Sequence, residues 1–190
     1  MNSGKGSIIL FTIIAVATLL VSVVGATFAY FGAAMNGRES QKTIQVTSGT
    51  LSIEYGTNSK INASNLNPGD VVATKTFTVK GVITGSENLG YGANLVVTNN
   101  TYSNGALVYT ITSKNVSNNG STIVATSKPV AIPSGASTIE LGTGSFAGPT
   151  TTGSTHEYTV TVTFANTGAD QSADLGKAFA ASLNVSQKTE

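Results

Sequence analysis

The feature that most constrains this chain is a period of two. In residues 157–165, Tyr158, Val160, Val162 and Phe164 alternate with Thr159, Thr161 and Thr163. Successive side chains of an extended strand point to opposite faces, so such a segment has one apolar face and one face of β-branched hydroxyls. The pattern suits a sheet that is dry on one side and wet on the other. It recurs along the chain. Ile44 and Val46 alternate with Thr43, Gln45 and Thr47; Leu51, Ile53 and Tyr55 with Ser52 and Glu54; Phe77 and Val79 with Thr76, Thr78 and Lys80; and Leu107, Tyr109 and Ile111 share one parity. Further strands are expected at 93–98, 122–126, 130–132, 138–141 and 179–185.

The punctuation between these runs agrees with an antiparallel fold. Asn104-Gly105, Asn119-Gly120, Ser134-Gly135 and Gly153 separate them, and Asn-Gly and Ser-Gly pairs mark turns. In Asn65-Leu66-Asn67-Pro68-Gly69-Asp70, Pro68 fixes its own φ and Gly69 supplies the positive φ of a type II turn. Parity changes between Val46 and Leu51, at Ser48-Gly49; a bulge or a crossing between sheets is expected there. Residues 170–177 read as one helical turn or a structured loop. Eight to ten short strands at this spacing predict an all-β chain, an antiparallel β-sandwich that is jelly-roll-like or Greek-key in topology.

Before the sandwich stands an apolar run. Residues 8–31 carry only Thr12, Thr18, Ser22 and Thr27 as polar side chains. As a hydrophobic helix they would span a hydrocarbon layer of roughly 30 Å. Lys5 ahead of the run and small residues at its end also fit a secretory signal, with cleavage after Ala26 or after Ala29. A retained membrane anchor is the second use. The third is a pilin-like leader, since Lys5-Gly6 directly precedes the run, although Phe11 stands where type IV pilins usually carry Glu. The chain thus divides into a signal peptide or anchor helix at 1–29, an N-terminal segment and solvated hinge at 30–42, and the β-sandwich at 43–190.

Charge narrows the partners. The chain has 10 basic and 9 acidic residues; residues 1–29 contain Lys5 and no acid, so the remainder is balanced at nine and nine. Between Asn88 and Thr155 the only charges are Lys114, Lys128 and Glu140. Such a surface lacks the basic footprint that nucleic acid requires, and it offers copies of the chain little mutual repulsion. There is no cysteine, hence no disulfide and no thiolate metal site.

Three pieces in order carry a family resemblance. They are Gly25-Ala26-Thr27-Phe28-Ala29-Tyr30-Phe31, then Thr47-Ser48-Gly49-Thr50-Leu51-Ser52-Ile53, then the Asn65 to Asp70 turn with Lys75, Phe77 and Val79 after it. The chain resembles the TasA and camelysin family of exported Gram-positive proteins. That resemblance implies a jelly-roll subunit of an extracellular biofilm matrix fibre, in which the freed N-terminal segment of one subunit adds as a strand to the next. The residues suited to donation are Tyr30, Phe31, Ala33 and Met35, the last three sharing one face at period two. The partner would be the chain itself as a homopolymer, with the membrane touched at least transiently through residues 8–31. The alternatives are a membrane-anchored binding or adhesion module and a pilin-like filament subunit that keeps its helix.

No enzyme, cofactor or small-molecule substrate is expected. Camelysin-like proteins are often described as metallopeptidases, yet His156 is the single histidine, and a zinc hydrolase needs several imidazole or carboxylate ligands converging with a base. His156 beside Glu157 at a strand start reads as an exposed polar pair. Asp170 and Asp174, four apart in a Gly-containing loop, read as a solvated loop rather than calcium ligands, and Gly142-x-Gly144 lacks the third glycine and helix of a phosphate cradle.

Overall fold

Ten strands account for most of the described residues in the computed structural model, which describes residues 42–46 and 49–188. They are β1 (Lys42–Val46), β2 (Gly49–Tyr55), β3 (Lys60–Ser64), β4 (Val71–Ile83), β5 (Leu89–Asn100), β6 (Leu107–Asn115), β7 (Val130–Ala131), β8 (Ser137–Phe146), β9 (Thr150–Phe164) and β10 (Ala178–Lys188). One sheet has the order β1-β2-β4-β9-β6-β7 and the other β3-β10-β5-β8, every pairing antiparallel.

The pairings are nested. β3 pairs with β10, β4 with β9, β5 with β8 and β6 with β7, as in one long hairpin. That hairpin is rolled so that β10 also meets β5 and β9 also meets β6. This nesting is the jelly-roll arrangement. The β1–β2 hairpin extends one of its sheets beyond β4.

The change of parity at Ser48-Gly49 is neither a bulge nor a crossing. Val46 pairs with Gly49 and Ile44 with Leu51 in the same sheet, so β1 and β2 run antiparallel, and that reversal alone accounts for the shift. Lys42, placed in the hinge by its charge, is the first residue of β1. The proposed N-terminal helix lies outside the described residues.

Inward parity follows the period-two reading. Tyr158, Val160, Val162 and Phe164 of β9 are buried, as are Leu51, Ile53, Phe77, Val79, Leu107, Tyr109 and Ile111. The opposite face of this sheet is ruled by threonine. Thr74 and Thr110 flank Thr161, and Thr76 and Thr112 flank Thr159, in neighbouring rows across three strands. β-branched side chains are stiff and fit a pleated surface, so these rows support the sheet where packing does not.

The turn before β4 behaves as its residues dictate. Asp70 N–H donates to the Asn67 carbonyl at 3.0 Å, and Gly69 has φ +99°. The turn is docked as well as bent: Gly69 N–H donates to Phe164 O at 2.7 Å, and Phe164 N–H to Asp70 O at 2.9 Å. Residues 170–177 hold a short 3-10 turn at Ser172–Asp174.

Aromatic side chains form a connected series through the core. Tyr55 lies 6.4 Å from Phe77, and Phe77 stacks on Tyr158 at 4.8 Å. Phe77 is 1% exposed and central to this series. Phe77→Ala is therefore expected to cost about 3–5 kcal/mol, read as a lowered urea midpoint with an unchanged denaturant slope.

Candidate functional site

The residues assigned by sequence to cleavage and donation, Ala26, Ala29, Tyr30, Phe31, Ala33 and Met35, lie outside the described residues. The structure instead shows what adjoins them and what the sandwich offers at its edges. β1 begins at Lys42, directly after the segment, and pairs on one side with β2. β3 pairs with β10 on one side. Among the described residues, no strand pairs with the other side of either.

The opposite flank is built differently. β7 is two residues long and stands between Pro129 and Pro133, and proline cannot donate to a ladder, so that edge is blunted. The edge of β8 is met by Ser121, whose N–H donates to Ser145 O at 2.8 Å while Ser145 N–H donates back at 2.7 Å. Short strand length, flanking proline and a covering segment are common means of disabling an edge. β1 and β3, at five residues each, are longer than β7, and no proline stands within either.

A second site lies inside the sandwich, and sequence reading placed it wrongly. His156 is 0% exposed; it is a core residue and not an exposed partner of Glu157. Strand parity explains this, because His156 shares the inward face of β9 with Tyr158 and Val160, while Glu157 faces out and pairs with Lys114 at 3.8 Å.

The ring is satisfied on both sides. Nε2 lies 2.8 Å from the Asn119 carbonyl, which can only accept, so Nε2 carries the proton and Nδ1 is the acceptor. Tyr91 Oη lies 2.5 Å from Nδ1 and donates to it. Tyr158 Oη in turn donates to Tyr91 Oη, and Ile123 N–H donates to Tyr158 Oη at 3.1 Å. The chain of bonds therefore runs in one direction through a dry core, from a backbone N–H to a backbone carbonyl. Burial holds the imidazole below its ordinary value of 6.5, and it pushes both phenols above the usual tyrosine range.

Glycine makes the room. A Cβ on Gly144 would lie 2.5 Å from the Tyr91 ring and hydroxyl and 2.8 Å from Ser121 O. Gly81 leaves space in the same way for Phe146, which stacks on His156 at 4.2 Å. The Gly142-x-Gly144 pattern thus has a packing origin.

The two loop carboxylates are also structural. Asp174, 5% exposed, accepts Ser103 N–H at 2.6 Å and so ties two connections together. Asp170 accepts Ser172 N–H at 2.9 Å at the start of the 3-10 turn, and those bonds hold its carboxyl below the usual range.

With this geometry in view, the comparisons can be placed. Residues 9–86 match the family model described as camelysin metallo-endopeptidase. Over that stretch the match supports the resemblance to the TasA and camelysin family. The match takes in the apolar run, the segment at 30–42, the β1–β2 hairpin, β3, the Pro-Gly turn and β4. No curated protein matches the chain. A solved structure, the infectious bursal disease virus VP2 subviral particle, aligns at 15% identity with a TM-score of 0.27, covering 71% of this chain and 32% of that one. The chain spans about a third of that protein, and the likeness carries no functional reading.

The family description implies a metal, and the donors among the described residues do not fit one. The chain has one histidine and no cysteine. Both nitrogens of that histidine are engaged in the core, and among the described residues no three His, Cys, Asp or Glu side chains gather. Among them, too, no helix is long and apolar enough to cross a membrane.

Gly144→Ala is expected to destabilise the fold by about 1–3 kcal/mol through overpacking. Gly92→Ala, where a Cβ would meet nothing nearer than 3.9 Å, should stay within about 0.5 kcal/mol of the parent. Urea unfolding of the two variants compares them directly.

Proposed function

We propose that the protein is an exported structural subunit that assembles into extracellular surface or matrix fibres by adding its N-terminal segment, residues 30–35, as a strand to the next copy. The observation that carries this reading is the span of the family match, which runs without a break from the apolar run through the segment at 30–42 into β1, β2 and β4. The edges support it. β1 and β3 each have one strand neighbour among the described residues, while the β7 and β8 flank is blunted or covered. An added strand satisfies the edge backbone groups of the sheet it joins, and its alternate side chains set the register. Balanced charge lets copies approach without mutual repulsion.

Release from the membrane by cleavage after Ala26 or Ala29 would free the segment in the same event that frees the protein. A sugar-binding surface is less well supported. Tyr55, Tyr91, Tyr102, Tyr109 and Tyr158 are all buried, so none of them offers a ring for stacking a saccharide.

Deleting residues 30–35 from the mature protein should leave a folded monomer, as judged by circular dichroism and sedimentation, that forms no fibres in electron micrographs. Fibres of normal length from the deletion would refute the donated strand.

The same reading makes the protein a non-enzyme whose fold needs no metal. Dialysis against EDTA should leave the thermal midpoint unchanged, as followed by calorimetry, and added zinc should not raise it. A ligand that bound only the native state would shift that midpoint with its concentration.

A further inference from the structure

The segment between β6 and β7 is a strap. Residues 116–126 leave β6, cross to the edge of β8 and return; Val116 N–H donates to Thr155 O at 3.0 Å where the strap starts, and further hydrogen bonds fasten it along its length. Asn115 Nδ2 donates to the Asn119 and Gly120 carbonyls at 3.2 and 3.3 Å, and its Oδ1 accepts Asn119 N–H at 3.1 Å. Asn119 in turn bonds Ala147 through both ends of its amide, at 3.0 and 2.8 Å. Ser121 bridges Ser145, and Thr126 N–H donates to Ile111 O at 3.0 Å. Two further attachments come from inside the sandwich, His156 Nε2–H to the Asn119 carbonyl and Ile123 N–H to Tyr158 Oη. Ile123 is fully buried, whereas Val124 next to it is 83% exposed.

We propose that His156, Tyr91 and Tyr158 form an acid-sensitive latch that holds this strap over the β8 edge at neutral pH and releases it when the imidazole gains a proton. The direction of the hydrogen bonds supplies the mechanism. A protonated ring donates from both nitrogens, so Nδ1–H now points at Tyr91 Oη. Tyr91 must turn its own proton to Tyr158, whose oxygen then receives both Tyr91 and Ile123 N–H. The Tyr158 proton is left without an acceptor among these neighbours, in a core where an unpaired polar group and a charge are both costly.

Among the described residues, no charged side chain bonds to the ring or stacks on it. The groups placed against it are Tyr91 on β5, Phe146 on β8, Tyr158 on β9 and the Asn119 carbonyl of the strap, with Val79 of β4 and Asn115 of β6 as its partners in register. Lys80 on β4, Lys114 on β6 and Glu157 on β9 are exposed on the outer face.

Above pH about 6.5 the histidine is neutral in the open and closed forms alike, and the strap keeps its full stability. Below it, the open form binds a proton that the closed form excludes, because burial lowers the ring's affinity. Opening is then favoured by up to tenfold per pH unit, until the closed form also titrates. An open strap returns the Ser145 N–H and C=O of the β8 edge to solvent.

Because the chain has a single histidine, the test is clean. Hydrogen exchange of the full mature protein, expressed as protection factors so that intrinsic rates cancel, is followed from pH 7.5 to 4.5. The expected result is a fall in protection at Ser121, Ile123 and Ser145 that starts near pH 6.5 and reaches up to tenfold per unit, while amides in the centre of β4 and β9 keep theirs. His156→Gln should abolish the pH dependence. Tyr158→Phe, which leaves Ile123 N–H without its acceptor, should lower strap protection at every pH. Protection that is flat across this range in the parent protein, or that falls equally in β4 and β9, would overturn the latch whether or not the variants fold.

Discussion

A sandwich of this kind depends on one condition, that the inner faces of both sheets be dry together. Each strand brings a side chain inward at every second residue, and removing apolar surface from water at about 25 cal/mol per Å² is what holds the sheets against each other. The condition is strict about polar atoms. A group that enters must bring its partners, since an unpaired donor or acceptor in the core costs on the order of 1–3 kcal/mol. The Tyr91, His156 and Tyr158 series meets that demand with a single directed chain of bonds between Ile123 N–H and Asn119 O. It also joins the two sheets, Tyr91 belonging to one and the other two side chains to its partner.

The same condition decides where glycine stands. Gly81 and Gly144 occupy places where an aromatic ring already fills the space of a Cβ, so their small size serves the ring opposite. At Gly69 the requirement is different, a positive φ that Pro68 beside it cannot supply. Residues that look like loop signals are thus of two physical kinds, and spacing along the chain does not separate them.

Much of the fold was legible because the period-two signal is local. The inward faces of β2, β4, β6 and β9 were readable residue by residue, and so was the turn at Asn67 to Asp70. β3 was not, because Ile61 is its one bulky buried side chain and a single apolar residue shows no period. β5 and β8 run beyond their readable parts, since Gly90, Gly92, Gly142 and Gly144 interrupt the alternation. Residues 122–126 carry a strand-like pattern but lie outside the regular ladders; Thr126 spends its hydroxyl on Ile111 N–H, at 3.0 Å, in place of a strand partner. The nested strand order needs contacts far apart in sequence, and nothing local encodes it. The internal site was half legible: the parity that placed Tyr158 and Val160 inward also places His156 inward, and its charged neighbour Glu157 concealed this.

The proposed function draws on the front end of the chain, where the family match covers the apolar run and the segment that precedes β1 in sequence, and where β1 has one strand neighbour among the described residues. Under that proposal, one proteolytic event would convert a membrane-tethered chain into a donor. N-terminal sequencing of the protein recovered from its native cell surface tests this most directly. The account predicts a first residue of Thr27 or Tyr30. A chain that begins at Met1, still anchored, or at Ser7, with its helix retained as in a pilin, would contradict it.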